Sequence, residues 1–198
     1  IKGGEALQRA GDIRTVVLDK TGTVTEGRPS VTDVNVAPGA ALDERELMTL
    51  VASLESVSEH PLADAVTHYG RERGLSLSQP AQFESVTGSG VRGVVNGRFV
   101  AVGNERLMAA VGADVAPLRN AAHALADDGR TAFYVALSTD SAPTGATLAA
   151  AIAIADPVKE SARAAVARLH EMGLDTVMLT GDNQRTADAV ARRLGIDE

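Results

Sequence analysis

Asp19 closes the apolar run Val16-Val17-Leu18 and opens the polar stretch Asp19-Lys20-Thr21-Gly22-Thr23-Val24-Thr25. Three large aliphatics in succession predict a strand buried on both faces, of the kind found in parallel sheets. The carboxyl end of such a strand is where open α/β sheets bind their ligands. A carboxylate placed there has two chemistries open to it. It is ionised at neutral pH and can attack phosphorus without a base, or it can ligate a magnesium ion held on phosphates. Gly22, between Thr21 and Thr23, lets the backbone turn tightly and present amide and hydroxyl donors to an anion. An ordinary strand-ending turn has the same composition, and spacing alone leaves both readings open.

Thr180-Gly181-Asp182 ends the aliphatic segment 174–179 much as Asp19 ends the first one. If the two strands are neighbours in a parallel sheet, the Thr180 hydroxyl and the Asp19 carboxylate open onto the same crevice, and a donor faces phosphoryl oxygens at Asp19. Taken alone, Thr180-Gly181-Asp182-Asn183 is a helix start with Asp or Asn as cap. His60 stands in Ser58-Glu59-His60-Pro61, where it is either a solvated capping residue or a neutral imidazole that stacks on or hydrogen-bonds to a purine. Gly88-Ser89-Gly90 could bring backbone close to a flat ring or a phosphate, or could be a plain turn, and Gly103-Asn104 by itself reads as a loop. The other histidines, His68, His123 and His170, are scattered, which argues against a zinc site.

The elements that must position these residues follow from periodicity. Leu47, Met48, Val51 and Leu54 share one face of a helix predicted over about 43–56, and a second helix begins at Pro61 and ends before Gly74. Strands are predicted at 83–86, 91–95 and 98–102, the last two joined by a type I′ turn at Asn96-Gly97. Helices over 106–111 and 118–126 and a strand over 131–137 follow. Residues 147–155 read as a buried strand, Asp156-Pro157 as an N-cap with Pro in the first helical position, 174–179 as another buried strand, and 187–194 as a helix closed by Gly195. A short helical lead-in is predicted before Gly11. Strand-helix-strand-helix order indicates a parallel sheet. Residues 1–29 and 147–198 therefore read as one doubly wound α/β domain, interrupted by an antiparallel α+β insertion over 30–146.

Composition bounds the partners. With 198 residues a sizeable core can be buried, and aliphatics must supply it because aromatics make up 3%. The 26 acidic residues outnumber the 19 Lys and Arg, for a formal charge of −7, which argues against nucleic acid or an anionic membrane surface as a partner. Without cysteine there is neither a disulfide framework nor a thiolate metal site. The longest apolar run, 146–155, falls well short of the roughly 20 residues a spanning helix needs. The absence of a starting Met and of any stop signal leads to the expectation of a fragment.

Set in order, these motifs resemble the cytoplasmic nucleotide-binding and phosphorylation region of heavy-metal-transporting P-type ATPases, over essentially the whole chain. Asp19-Lys20-Thr21-Gly22-Thr23 matches the phosphorylation loop and Ser58-Glu59-His60-Pro61-Leu62 the His-Pro motif. Gly88-Ser89-Gly90 and Gly103-Asn104 match the nucleotide-domain glycines and Asn, and Thr180-Gly181-Asp182-Asn183 the second phosphate motif. The resemblance implies a haloacid-dehalogenase-like sheet carrying an inserted nucleotide-binding domain. It implies Asp19 as the nucleophile that accepts the γ-phosphoryl group of ATP. Thr21 and Thr180 hold the phosphoryl oxygens, with Lys20, Gly181 and Asp182 in the same catalytic set. Mg2+ lies against the Asp19 carboxylate and the Thr21 carbonyl. Glu55, His60, Gly88, Gly90, Gly103 and Asn104 form the nucleotide pocket, and Asp156 marks the hinge where the insertion returns to the core. Closure of the insertion over the core delivers the phosphoryl group, with positioning and charge neutralisation supplying most of the rate.

The implied partners are ATP and the actuator and transmembrane domains of a full-length pump, which makes this a cytoplasmic region of an integral membrane protein. The Ser-Glu-His-Pro form and the run from Thr180 to Thr186 look more like the copper(I) pumps than the zinc and cadmium ones. The sequence stops before the family's Gly-Asp-Gly-x-Asn-Asp segment and its phosphate-contacting Lys, so the fragment is expected to bind ATP and to phosphorylate itself poorly. A soluble phosphatase of the same Asp-nucleophile superfamily is the alternative. Such enzymes carry a second Asp two residues after the first, and here Thr21 takes that position. A nucleotide-binding module without chemistry is the third reading.

Overall fold

A computed structural model describes residues 11–196, so the lead-in predicted before Gly11 lies outside the described residues apart from Gly11 itself. Two compact units emerge, one from residues 1–28 with 156–198 and the other from residues 29–155.

The larger unit is built on a six-stranded antiparallel sheet. Its strands are β2 (Ser30–Val36), β3 (Ala81–Val86), β4 (Gly90–Val95), β5 (Arg98–Gly103), β6 (Thr131–Leu137) and β7 (Thr147–Ala155), in the spatial order β2-β7-β6-β5-β4-β3. Along each strand alternate side chains point to opposite faces, and here both faces are covered. On one face Val91, Val95, Val100, Val102, Val135 and Ile152 pack against Leu47, Val51, Leu54 and Val66 of helices α1 (Glu44–Glu55) and α2 (Pro61–Glu72). On the other, Phe99, Ala101, Tyr134, Ala136 and Ala151 meet Leu107, Met108, Leu118 and Ala122 of α3 (Glu105–Ala110) and α4 (Ala116–Asp127). The ends of α1 follow from local chemistry: Asp43 accepts from the Glu46 amide at 2.8 Å while the Glu46 carboxylate accepts from the Asp43 amide at 3.4 Å, a reciprocal capping box. The β4–β5 turn has Asn96 at φ 52° and Gly97 at φ 78°, as the Asn-Gly dipeptide predicts.

The smaller unit holds β1 (Thr15–Asp19) and β8 (Asp175–Leu179), paired in parallel, with helices α5 (Glu160–Glu171) and α6 (Gln184–Leu194). Its core is Val24, Ala162, Val166, Val190 and Leu194, with Leu18 and Met178 packed against it.

Three expectations are corrected. Residues 147–155 do form a strand, but β7 lies in the antiparallel sheet between β2 and β6, so the units divide after Ala155 rather than after residue 146. The run Leu148-Ala149-Ala150-Ala151-Ile152-Ala153-Ile154 is apolar throughout because helices cover both faces of that sheet, and this pattern is shared with parallel strands. The parallel pairing among the described residues is therefore two-stranded, and β1 is not buried on both faces. Val17 is 60% exposed and Leu179 is 64% exposed on the face away from the helices. Finally, Asp156-Pro157 does not start a helix. The N-cap of α5 is Lys159, and the Asp156 carboxylate is engaged elsewhere.

Candidate active site and nucleotide site

The parallel register pairs Asp19 with Leu179, so the loops that follow β1 and β8 leave the sheet side by side. Lys20 and Asp182, one from each loop, form an ion pair with side chains only 11% and 13% exposed. Burial makes this pair a fixed link between the loops, since a charge left alone at such a site is costly. Among the described residues the Asp19 carboxylate is exposed, caps no backbone amide and has no ion-pair partner. The Thr180 hydroxyl oxygen accepts from the Asp182 amide at 3.1 Å, which leaves its proton to donate. Asn183 then caps α6 by accepting from the Thr186 amide at 3.1 Å.

Residues 20–24 make one wide turn closed by the Thr25 amide donating to the Lys20 carbonyl at 3.1 Å. Gly22 sits at φ 76°, a conformation glycine adopts without penalty, and its amide donates to the Thr25 hydroxyl oxygen at 3.1 Å. Thr25, 1% exposed, in turn donates to Asp156 at 2.5 Å, and Asp156 also accepts from the amides of Gly27 at 3.2 Å and Arg28 at 2.9 Å. Asp156 thus fastens the chain leaving the turn. Sequence reasoning placed it as a hinge marker but missed this role, and it missed Thr25 and Lys159 as well. The only available signal for Thr25 was its position at the end of the Asp-Lys-Thr-Gly-Thr-Val-Thr run.

In the larger unit Gly88 and Gly90 flank the β3–β4 turn, and Gly90 pairs in register with Gly103 on β5. The strands approach so closely that a Cβ on Gly90 would lie 2.1 Å from the Val102 carbonyl oxygen, and one on Gly103 2.2 Å from that of Ser89. Asn104 locks the arrangement. Its side-chain carbonyl caps α3, accepting from the amides of Arg106 at 3.0 Å and Leu107 at 3.3 Å, while its amide donates to the Gly88 carbonyl at 2.9 Å. Its backbone amide donates to Ser89 at 2.9 Å.

His60 is the N-cap of α2: Nδ1 accepts from the Leu62 amide at 3.2 Å, the arrangement of the tautomer that carries its N–H on Nε2. Glu55 ends α1 and is buried, and desolvation pushes its carboxyl up to about 7, partly opposed by a hydrogen bond from Ser58. Leu54, the preceding residue, packs toward Gly93 on β4, three residues beyond Gly90. A Cβ on Gly90 or on Gly103 would instead meet Leu107 of α3, on the opposite face of the sheet from α1 and Glu55.

The donor set bears on a divalent cation in one respect. Among the described residues no three His, Cys, Asp or Glu side chains cluster as a metal cage. Magnesium rarely uses one: it keeps several waters and takes one or two protein oxygens beside the phosphates of its nucleotide. An exposed carboxylate without a protein partner, followed two residues later by an exposed carbonyl-bearing Thr21, fits that demand.

Comparison with known proteins supplies the context. Residues 13–198 match the haloacid dehalogenase-like hydrolases. The chain is 45% identical over 195 residues to "Copper-transporting ATPase 1" of Rhizobium meliloti (strain 1021), covering 98% of this chain and 22% of that protein. It therefore spans about a fifth of the length of that curated relative. Among solved structures, a zinc-transporting PIB-type ATPase in its E2.Pi state aligns with a TM-score of 0.67 at 33% identity, over 99% of this chain and 30% of that one. The catalytic domain of the CPx-ATPase CopB-B aligns with a TM-score of 0.67 at 23% identity over 100% of this chain and 65% of its own, a likeness of fold.

Proposed function

The chain belongs to the haloacid dehalogenase-like hydrolase family, and from that premise we propose that it is the ATP-binding and phosphoryl-accepting region of a P-type ATPase that transports a heavy-metal ion, copper(I) by its likeness to the copper-transporting relatives. The observation that carries the reading is the parallel register of Asp19 with Leu179, which sets the Asp19-Lys20-Thr21 loop beside Thr180-Gly181-Asp182.

In this reading the ionised Asp19 carboxylate attacks the γ-phosphorus of ATP. A carboxylate oxygen–phosphorus bond forms, the bond to the bridging oxygen breaks, and ADP leaves with that electron pair. Thr21 and Thr180 donate hydroxyl hydrogen bonds to the transferring oxygens, and Lys20 with Asp182 keeps the two loops in step. The Asp19 carboxylate and the Thr21 carbonyl would hold Mg2+, whose charge offsets that of the phosphates. The larger unit takes the nucleotide: Glu55 and the Nε2–H of His60 serve the base, and the backbone of the Gly88–Gly90 turn lies against the ligand. Gly103 and Asn104 serve the ligand through that turn, because the Asn104 side-chain carbonyl is taken by the Arg106 and Leu107 amides and its amide nitrogen holds the Gly88 carbonyl. Water then hydrolyses the acyl phosphate, and in the full-length protein the cycle drives transport through membrane and actuator domains. No helix among the described residues is long and apolar enough to cross a membrane. The place proposed for the chain in such a pump is the cytoplasmic part, where ATP is available.

ATP titration of this chain tests the nucleotide half of the reading. Saturable binding is expected, weakened about tenfold or more in His60→Gln by loss of a base contact. Equal affinity of the two proteins contradicts the role given to His60, and absence of binding contradicts the reading of the larger unit.

A further inference from the structure

Four residues that follow β7, Asp156-Pro157-Val158-Lys159, run alongside residues 22–28 and grip them. The Glu26 amide donates to the Pro157 carbonyl at 2.8 Å, Thr25 and Val158 form an antiparallel bridge, and the Lys159 amide donates to the Val24 carbonyl at 2.9 Å. The last hold is made by a side chain. The Lys159 ammonium donates to the Gly22 carbonyl at 2.7 Å.

Lys159 is an odd residue for its place. It is the N-cap of α5, where Ser, Thr, Asp or Asn is favoured, and a cation there opposes the helix dipole. Its side chain makes no cap hydrogen bond. A residue that breaks a local rule is often held by a requirement elsewhere, and here that requirement is its hold on Gly22.

Gly22 is held at both polar atoms, its amide by Thr25 and its carbonyl by Lys159. In a trans peptide the carbonyl and the next amide point in opposite directions, so fixing the Gly22 oxygen also fixes the direction of the Thr23 N–H. An ammonium-to-carbonyl hydrogen bond is charge-assisted and stronger than a neutral one. We propose that Lys159 is a positioning residue for phosphoryl transfer, holding the Gly22 carbonyl so that the Thr21-Gly22-Thr23 backbone keeps the shape that receives a phosphoryl group at Asp19. The proposal rests on the reading of Asp19 as acceptor.

Two measurements test it. In the full-length protein, Lys159→Met is expected to slow phosphoenzyme formation at saturating ATP by about 10–100-fold while leaving ATP affinity within about twofold, the signature of lost positioning rather than lost binding. Lys159→Arg, which retains a charged donor, keeps most of the rate, and Lys159→Gln falls between them and serves if the Met variant does not fold. A wild-type rate in Lys159→Met, or equal losses of rate and affinity, overturns the proposal. In this chain alone, amide hydrogen exchange at Gly22 is expected to be about tenfold faster in Lys159→Met than in the wild type, with β1 amides unchanged. Unchanged exchange at Gly22 overturns the positioning role whether or not phosphoenzyme forms. A wild-type protein that forms no phosphoenzyme speaks instead against Asp19 as acceptor, and the exchange result then decides for Lys159.

Discussion

Glu55 is the side chain whose protonation the fold changes most visibly toward neutral pH. Desolvation raises its carboxyl from 4.5 to about 7, so between those values the folded protein binds more protons than the unfolded chain. Stability therefore falls as pH rises through that window, and above it a buried ionised carboxylate is carried in full. The upper bound is about 3–4 kcal/mol, from about 1.4 kcal/mol per pKa unit. Thermal unfolding at pH 5 and pH 8 is expected to show a stability gap between wild type and Glu55→Gln that shifts in favour of Gln at the higher pH. A gap that does not move with pH contradicts the assigned state of Glu55. Asn104 offers a second residue-level test. Asn104→Ser keeps a cap for α3 but loses the hydrogen bond to Gly88, so the protein should stay folded while ATP binding weakens by about 1 kcal/mol or more. In the wild type, the Asn104 side-chain amide resonance should move little on ATP addition while the Gly88–Gly90 backbone resonances move. A large shift of the Asn104 amide would make it a direct ligand.

At the scale of elements, the close approach of β4 and β5 makes Gly90 and Gly103 structural necessities as well as parts of the proposed nucleotide site. Gly103→Ala drives a Cβ into the Ser89 carbonyl, and unfolding by denaturant should show a loss of about 1–3 kcal/mol. Val17→Thr, on the uncovered face of β1, should change stability by less than about 0.5 kcal/mol. A large cost there would mean that this face is covered. The contrast between what the sequence disclosed and what it did not follows the range of the interactions. Pro61 opening α2, the Asn96-Gly97 turn and the αL Gly195 are settled within a few residues, and each is where the sequence placed it. Asp156-Pro157 also carries a local signal, for an N-cap, but its carboxylate is claimed by Thr25, Gly27 and Arg28, 128 to 131 residues away along the chain. The strand β7 was legible as a buried strand from its alanines and isoleucines. Its partners were not, because an apolar run covered on both faces carries no mark of whether its neighbours are parallel or antiparallel.

Across the whole molecule, the larger unit has a complete sheet with a core on each face, whereas its boundary depends on β7. A polypeptide of residues 29–155 is expected to fold and to give the same result as the entire chain in the ATP titration. One of residues 30–146 lacks the strand that joins β2 to β6 and is expected not to fold cooperatively, as circular dichroism during thermal unfolding would show. Equal cooperativity of the two would contradict the placement of β7. The loops of Asp19 and Thr180 come together through a single parallel strand pair, and this juxtaposition gives the chain its proposed chemistry. Incubation of the full-length protein with γ-labelled ATP and Mg2+ tests it most directly. The expected result is a stoichiometric, acid-stable, hydroxylamine-labile label that maps to Asp19 and is lost in Asp19→Asn; label absent from the wild type, or retained in that variant, would contradict the account.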